Sequence, residues 1–249
     1  MSVAAEPQVR SVGRAFGILD LLTRRPPVLP LREIVQETGL PKTTVVRLLA
    51  DLQRRSVVVA VRDGEYSLGA AMLSWVRAAE GLWRVDEETH AVMARLVREH
   101  GETVCVYVRQ DLNRIAIAQH EGRHTVRNVI EVGAPMPLWA GAASKVLLTA
   151  KPQLVERLPL DEEARGRLLR EVAAAEERGW ARSDGEREVG AAAVAAPIRG
   201  RDGRVIAALN MSGPSSRFTG DVLAAGLESL RAAAERLSER GIGSVEALL

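Results

Sequence analysis

Residues 39–53 read GLPKTTVVRLLADLQ. Val45, Leu48, Leu49 and Leu52 recur at helical spacing and mark one buried stripe. Gly39 suits the left-handed cap of a preceding helix, and Pro41 is tolerated in the first turn of the next. If those four aliphatic side chains face inward, Lys42, Thr43, Thr44, Val46 and Arg47 cannot all be buried with them. They project from the leading end and outer face of the helix. These side chains suit a DNA duplex. Lysine and arginine can hold phosphates or guanine edges, threonine can donate to phosphates, and methyl groups can meet thymine. For one helix alone, a solvated amphipathic segment with Thr43 as its cap is the better explanation of the pattern.

The flanking residues decide between these readings. Before this stretch, Leu31, Ile34 and Val35 predict a short helix ending at Gly39. Earlier, Val12, Ala15, Phe16, Leu19 and Leu22 predict a first helix stopped by Pro26-Pro27. After it, residues 57–61 and 65–68 read as strands around Asp63-Gly64, a tight-hairpin signal. Helices joined by a Gly-containing turn and followed by a hairpin spell a winged helix-turn-helix over residues 9–68. Between Val9 and Arg62 stand ten basic residues (Arg10, Arg14, Arg24, Arg25, Arg32, Lys42, Arg47, Arg54, Arg55, Arg62) against Asp20, Glu33, Glu37 and Asp51. That local excess suits a polyanion. Arg62 on the hairpin and Arg10 on the leading arm are expected to add backbone or minor-groove contacts.

Residues 69–83, GAAMLSWVRAAEGLW, are too apolar for a free linker. Residues 69–85 are therefore expected to form a connecting helix that also dimerises, because helix-turn-helix proteins usually read two half-sites. Residues 86–249 alternate helix and strand. An amphipathic helix is expected over 89–100, with Val92, Met93, Leu96 and Val97 inward. Strands are expected at 103–109, 114–120, 125–132, 189–198 and 205–211. Helices are expected at 142–150, 161–178 and 221–240. The class is α+β around one antiparallel sheet.

The bulk numbers narrow the function classes. The chain has 249 residues, is 47% hydrophobic and 27% charged, and carries a formal charge of +2. No apolar run approaches the ~20 residues of a membrane helix, and the start lacks a signal peptide's apolar centre. Cys105 is the single cysteine, which excludes an intramolecular disulfide and suits a reducing cytoplasm. Only Lys42, Lys145 and Lys151 are lysines, leaving 34 − 3 = 31 arginines, a bias expected of a GC-rich genome.

Catalytic patterns fail one by one. His120-x3-His124 lies on strand and turn without a third ligand nearby, so no metal site is expected. Ser144-Lys145 in GAASK matches neither a phosphate loop nor a nucleophile elbow. The acidic clusters 161–163 and 186–188 read as exposed or capping. No cofactor motif occurs. The alternative of an enzyme turning over a small acid, with the basic unit serving assembly, finds no set of acid, base and nucleophile.

Taken in order, several stretches resemble the IclR family of bacterial transcription regulators over about residues 9–241. They are VRSVGRAFGILDLL, LPKTTVVRLLADL, GEYSLG, GETV, VGAPMPLWAGAASKVLL, ERGWARSDGEREVG and AAPIRGRDGRVIAALNMSGPSSRFT. The resemblance implies a GAF-like effector-binding domain, dimers or tetramers, and operator binding altered by a small metabolite. It places the effector against Thr125, Asn128, Met136, Ala142, Ala143, Ser183, Ala191, Ala193, Asn210 and Ser212. Trp139 stands where the family often has histidine, and is expected to cover a larger apolar or aromatic ligand. Asn210 replaces a frequent serine, and Ser183 and Ala193 stand where small polar or acidic residues are common. Two physical points agree with this location. Helix-opening N–H groups at 142–144 favour an anion such as a carboxylate, and Asn210 and Ser212, two apart, share one face of a strand. The expected effector is a small carboxylate or an aromatic acid.

Overall fold

A computed structural model describes residues 9–23 and 27–249. The expectations for Arg24, Arg25, Pro26 and the first eight residues lie outside the described residues. The chain divides into two compact units, residues 1–81 and 82–249.

In the first unit, α1 (Arg10–Leu22), α2 (Leu31–Thr38) and α3 (Lys42–Arg54) surround a small core. Ile18, Leu22, Ile34, Val45 and Leu49 are fully buried there. Gly39 takes φ 62° and its N–H bonds the Val35 carbonyl at 3.0 Å, so α2 stops and the chain turns into α3. The hairpin is β2 (Val58–Arg62) and β3 (Glu65–Leu68), with Gly64 at φ 72°. A two-residue strand, β1 (Leu29–Pro30), pairs with β3 and makes the wing three-stranded, in the order β1-β3-β2. One expectation fails in α1. Val12 and Phe16 are 51% and 54% exposed, whereas Leu19 and Leu22 of the expected stripe are buried and are joined by Ile18 and Leu21. α4 (Met72–Trp83) buries none of its residues.

The second unit is one antiparallel sheet, ordered β6-β5-β4-β9-β8-β7. Its strands are β4 (Thr103–Gln110), β5 (Asn113–His120), β6 (Pro135–Pro137), β7 (Ala181–Asp184), β8 (Ala191–Arg199) and β9 (Val205–Pro214). Period-two alternation sorts the side chains into two cores. Val104, Val106, Val194, Ile198, Leu209 and Met211 face α5 (Glu87–His100) and α8 (Gly220–Arg240). Cys105, Tyr107, Ala195 and Ala208 face α6 (Ala142–Thr149), behind which lies α7 (Glu162–Arg178).

The expected strand at 125–132 does not form. Side chains satisfy that segment's backbone in place of a ladder. Gln119 Oε1 accepts from Ile130 N–H at 2.7 Å, Thr103 Oγ1 donates to the Asn128 carbonyl at 2.6 Å, and Arg217 donates to the Val126 carbonyl at 2.8 Å. Val126, Val129 and Val132 are left exposed. The neighbour of β5 is β6, whose two prolines are compatible only with a sheet edge. Residues 181–184 form a strand that alternation alone did not mark, closing the other edge beside β8.

Candidate nucleic-acid interface and ligand cavity

The leading end of α3 faces solvent. Lys42, Thr43, Val46 and Arg47 are exposed and Thr44 is half-buried, while Val45, Leu48 and Leu49 are buried and Leu52 is half-buried. Neither Lys42 nor Arg47 is committed to a carboxylate among the described residues. Thr43 does not cap the helix, since no side chain caps its start. An exposed end with two uncommitted cations and free hydroxyls is what a phosphate-lined groove requires. Arg10 and Arg62 are also exposed.

In the second unit a cavity of about 40 Å³ lies between the α6 face of the sheet and the start of α6. Strand register assembles its floor. Ser183 lies opposite Ala193, Ala193 opposite Ser212, and Asn210 between Cys105 and Ala195. Eight of the positions singled out from the sequence line it: Asn128, Ala142, Ala143, Ser183, Ala191, Ala193, Asn210 and Ser212. Three do not. Thr125 is exposed on the loop that fails to become a strand. Trp139 is 44% exposed, and Met136 packs against the α6-side core, its Sδ accepting from Arg187 Nη1 at 2.9 Å.

Arg114 supplies the wall that the sequence reading missed. It is 5% exposed, stacks over the Tyr107 ring at 5.4 Å, and donates to the Ala140 carbonyl and to Ser144 Oγ. Burial pushes its pKa down from the usual arginine value, and burial likewise pushes the Cys105 thiol up to about 12. Arg114 Nε and Ser212 Oγ are buried without a hydrogen-bond partner among the described residues. Such groups are costly to leave unpaired, so the wall and floor of this cavity favour a polar guest. Gly141 takes φ 96°, a backbone conformation that L side chains rarely adopt, and a Cβ there would also lie 2.8 Å from the Arg114 guanidinium. A wider groove of 340 Å³ near Trp83, Arg109 and Arg204 has no comparable set, and Arg204 is already held by Asp202 at 2.5 Å.

Two side chains go beyond the sequence reading, Lys145 at the start of α6 and His120 on β5. Lys145 is buried and neutralises two of the protein's own carboxylates, donating to Glu186 Oε1 at 2.6 Å and the Arg182 carbonyl at 2.9 Å, with Glu171 Oε2 at 3.1 Å. Glu186 also accepts the Gly141 N–H at 2.8 Å through its other oxygen. His120 Nε2 meets His90 Nδ1 at 3.2 Å, and burial pulls the His120 pKa down, with His90 adding to the shift. No cluster of three metal-ligating side chains occurs among the described residues, nor does any helix long and apolar enough to cross a membrane.

Comparison with known proteins places this architecture. The family described as bacterial transcriptional regulator IclR C-terminal matches residues 82–239, and the IclR helix-turn-helix domain matches residues 11–62. The chain belongs to the IclR family. Among IclR relatives, the regulator KipR of Bacillus subtilis is 29% identical over 242 residues, covering 93% of this chain and 96% of its own. The transcriptional repressor IclR of Escherichia coli is 29% identical over 241 residues, covering 88% and 86%. An IclR-family regulator from Rhodococcus sp. of known structure is 43% identical, covers 98% of each chain, and superposes with a TM-score of 0.65. An IclR homologue from Microbacterium hydrocarbonoxydans, solved with 4-hydroxybenzoate, shares the fold at 21% identity and a TM-score of 0.72, covering 95% of this chain and 99% of its own. IclR proteins are transcriptional regulators rather than enzymes, which disposes of the small-acid enzyme alternative. The helix-turn-helix of the IclR match is the unit that carries α3.

Proposed function

We propose that this regulator binds a two-fold or repeated operator through α3 and answers to a small carboxylate held in the α6 cavity. Lys42, Thr43, Thr44, Val46 and Arg47 contact base edges and phosphates, and Arg10 and Arg62 grip the flanking backbone. The exposed, uncommitted charge at the start of α3 carries this reading. For the effector, support comes from the buried Arg114, the unpaired Ser212 hydroxyl, and the first-turn N–H groups of Ala142 and Ala143, which have no acceptor within α6. Volume discriminates between acids. A site for one water needs about 10–15 Å³, so 40 Å³ holds roughly three water-sized groups. A two- or three-carbon acid fits the cavity as it stands, whereas an aromatic acid requires its rim to open.

α4 leaves Leu73, Trp75 and Val76 on the surface and buries nothing, which supports a homodimer formed along this helix. A ligand that favours one arrangement of the two heads changes operator affinity by its differential affinity for the two states, a coupling of about 1–3 kcal/mol. The test begins with selection of a preferred duplex from random sequence. Arg47→Ala should then weaken binding to that duplex by about 1–3 kcal/mol while leaving carboxylate-induced thermal stabilisation intact. Undiminished duplex binding by the variant would remove α3 from the interface.

A further inference from the structure

We propose that Glu186 is a built-in competitor for the anion site, holding the start of α6 until a carboxylate ligand displaces it. This rests on the reading of the α6 cavity as a carboxylate site and adds to it a means of regulation. One Glu186 oxygen accepts the Gly141 N–H at 2.8 Å and the other takes Lys145 Nζ at 2.6 Å. The chain's own carboxylate thus sits where the helix opens toward the cavity, and Gly141 and Glu186 both line that cavity. A second carboxylate on the neighbouring Ala142 and Ala143 amides would be repelled by it. The two anions exclude each other.

The exchange leaves the site intact. Lys145 keeps the Arg182 carbonyl at 2.9 Å and Glu171 at 3.1 Å after Glu186 departs. Lys145 therefore stays anchored at the start of α6 when Glu186 leaves. Glu186 is free to leave because its side chain is 28% exposed and sits on a segment without regular structure between β7 and β8. That segment also carries Arg187 and Glu188 on the cavity lining and Val189, which is 96% exposed. Departure of Glu186 both vacates the Gly141 N–H and widens a cavity of only 40 Å³. Meanwhile Arg114 Nε and Ser212 Oγ, buried and unpartnered, remain for the ligand's other atoms. The protein then binds carboxylates with an affinity lowered by the fraction of time that Glu186 is away.

The experiment measures acetate and benzoate binding, by thermal shift and calorimetry, in the full chain and in Glu186→Ala, Glu186→Gln and Asn210→Leu. Melting of the unliganded variants shows that they fold. Tighter acetate binding in Glu186→Ala by about tenfold or more supports the competitor, since a charge-assisted hydrogen bond is being removed from the rival state. Glu186→Gln should gain less, because its amide oxygen still accepts the Gly141 N–H. Benzoate should gain more than acetate, because it also needs the added room. Equal acetate affinity in the native chain and Glu186→Ala, with loss in Asn210→Leu, would overturn the competitor and leave the cavity reading standing. Weaker acetate binding in Glu186→Ala would make Glu186 part of the ligand's support and overturn it also. Absence of binding in every variant, or binding indifferent to Asn210→Leu, would overturn the cavity reading together with it.

Discussion

Single side chains carry most of the specificity argued here, and several of them were readable in advance. Lys42 and Arg47 lie outward because Val45, Leu48 and Leu49 lie inward, a consequence of 3.6 residues per turn. Asn210 and Ser212 reach the cavity together because a strand has period two. Arg114, Tyr107 and Glu186 were not legible. Their roles depend on strand order and on contacts 26 to 45 residues apart in sequence, for which local pattern holds no information. Asn210 is 4% exposed on the cavity floor. Asn210→Leu should abolish the thermal stabilisation produced by small carboxylates while leaving duplex affinity unchanged without ligand. Retention of the full stabilisation would place the ligand elsewhere.

Elements were legible where amphipathic period and capping chemistry agreed. The helix expected at 89–100 is α5, beginning two residues earlier, at Glu87, because Asp86 caps it. Asp86 Oδ1 accepts from Thr89 N–H at 2.8 Å and from the Thr89 hydroxyl at 2.7 Å, and Arg240 donates to the other oxygen at 2.8 Å. Burial works against the Asp86 charge, yet the Thr89 and Arg240 hydrogen bonds outweigh it and hold the pKa below the usual carboxylate value. A depressed folded pKa contributes stability above the unfolded value, near 4, and loses it as pH falls through the folded one. Asp86→Asn, which keeps an acceptor oxygen but no charge, should therefore melt lower than the native chain at pH 7. That gap should close as pH falls below about 4. A gap of constant size from pH 7 to pH 3 would show that the charge contributes nothing. The strand expected at 125–132 failed for the opposite reason, because Gln119, Thr103 and Arg217 take its backbone groups, and no composition rule foresees long-range side-chain partners.

For the whole molecule, the sequence already implied a small basic reader followed by a larger α+β unit, because turn, cap and hairpin signals agreed with each other. Assembly is a property of surfaces, and α4 offers one. Trp75 and Val76 are 49% and 48% exposed on a helix that buries nothing. With the proposed dimer along α4, Val76→Glu should give a monomer in sedimentation velocity and weaken binding to a two-half-site duplex far more than to a single half-site. An unchanged sedimentation profile would move the dimer interface off α4. The most direct measurement of the central claim is the salt dependence of duplex binding by anisotropy, for the native chain and for Lys42→Ala and Arg47→Ala together. Each lost phosphate contact should reduce the slope of log affinity against log salt by about one. The double variant is expected to show a shallower slope and weaker binding, with carboxylate-induced stabilisation preserved. An identical slope and affinity would contradict it, because the exposed end of α3 would then not be what meets the DNA.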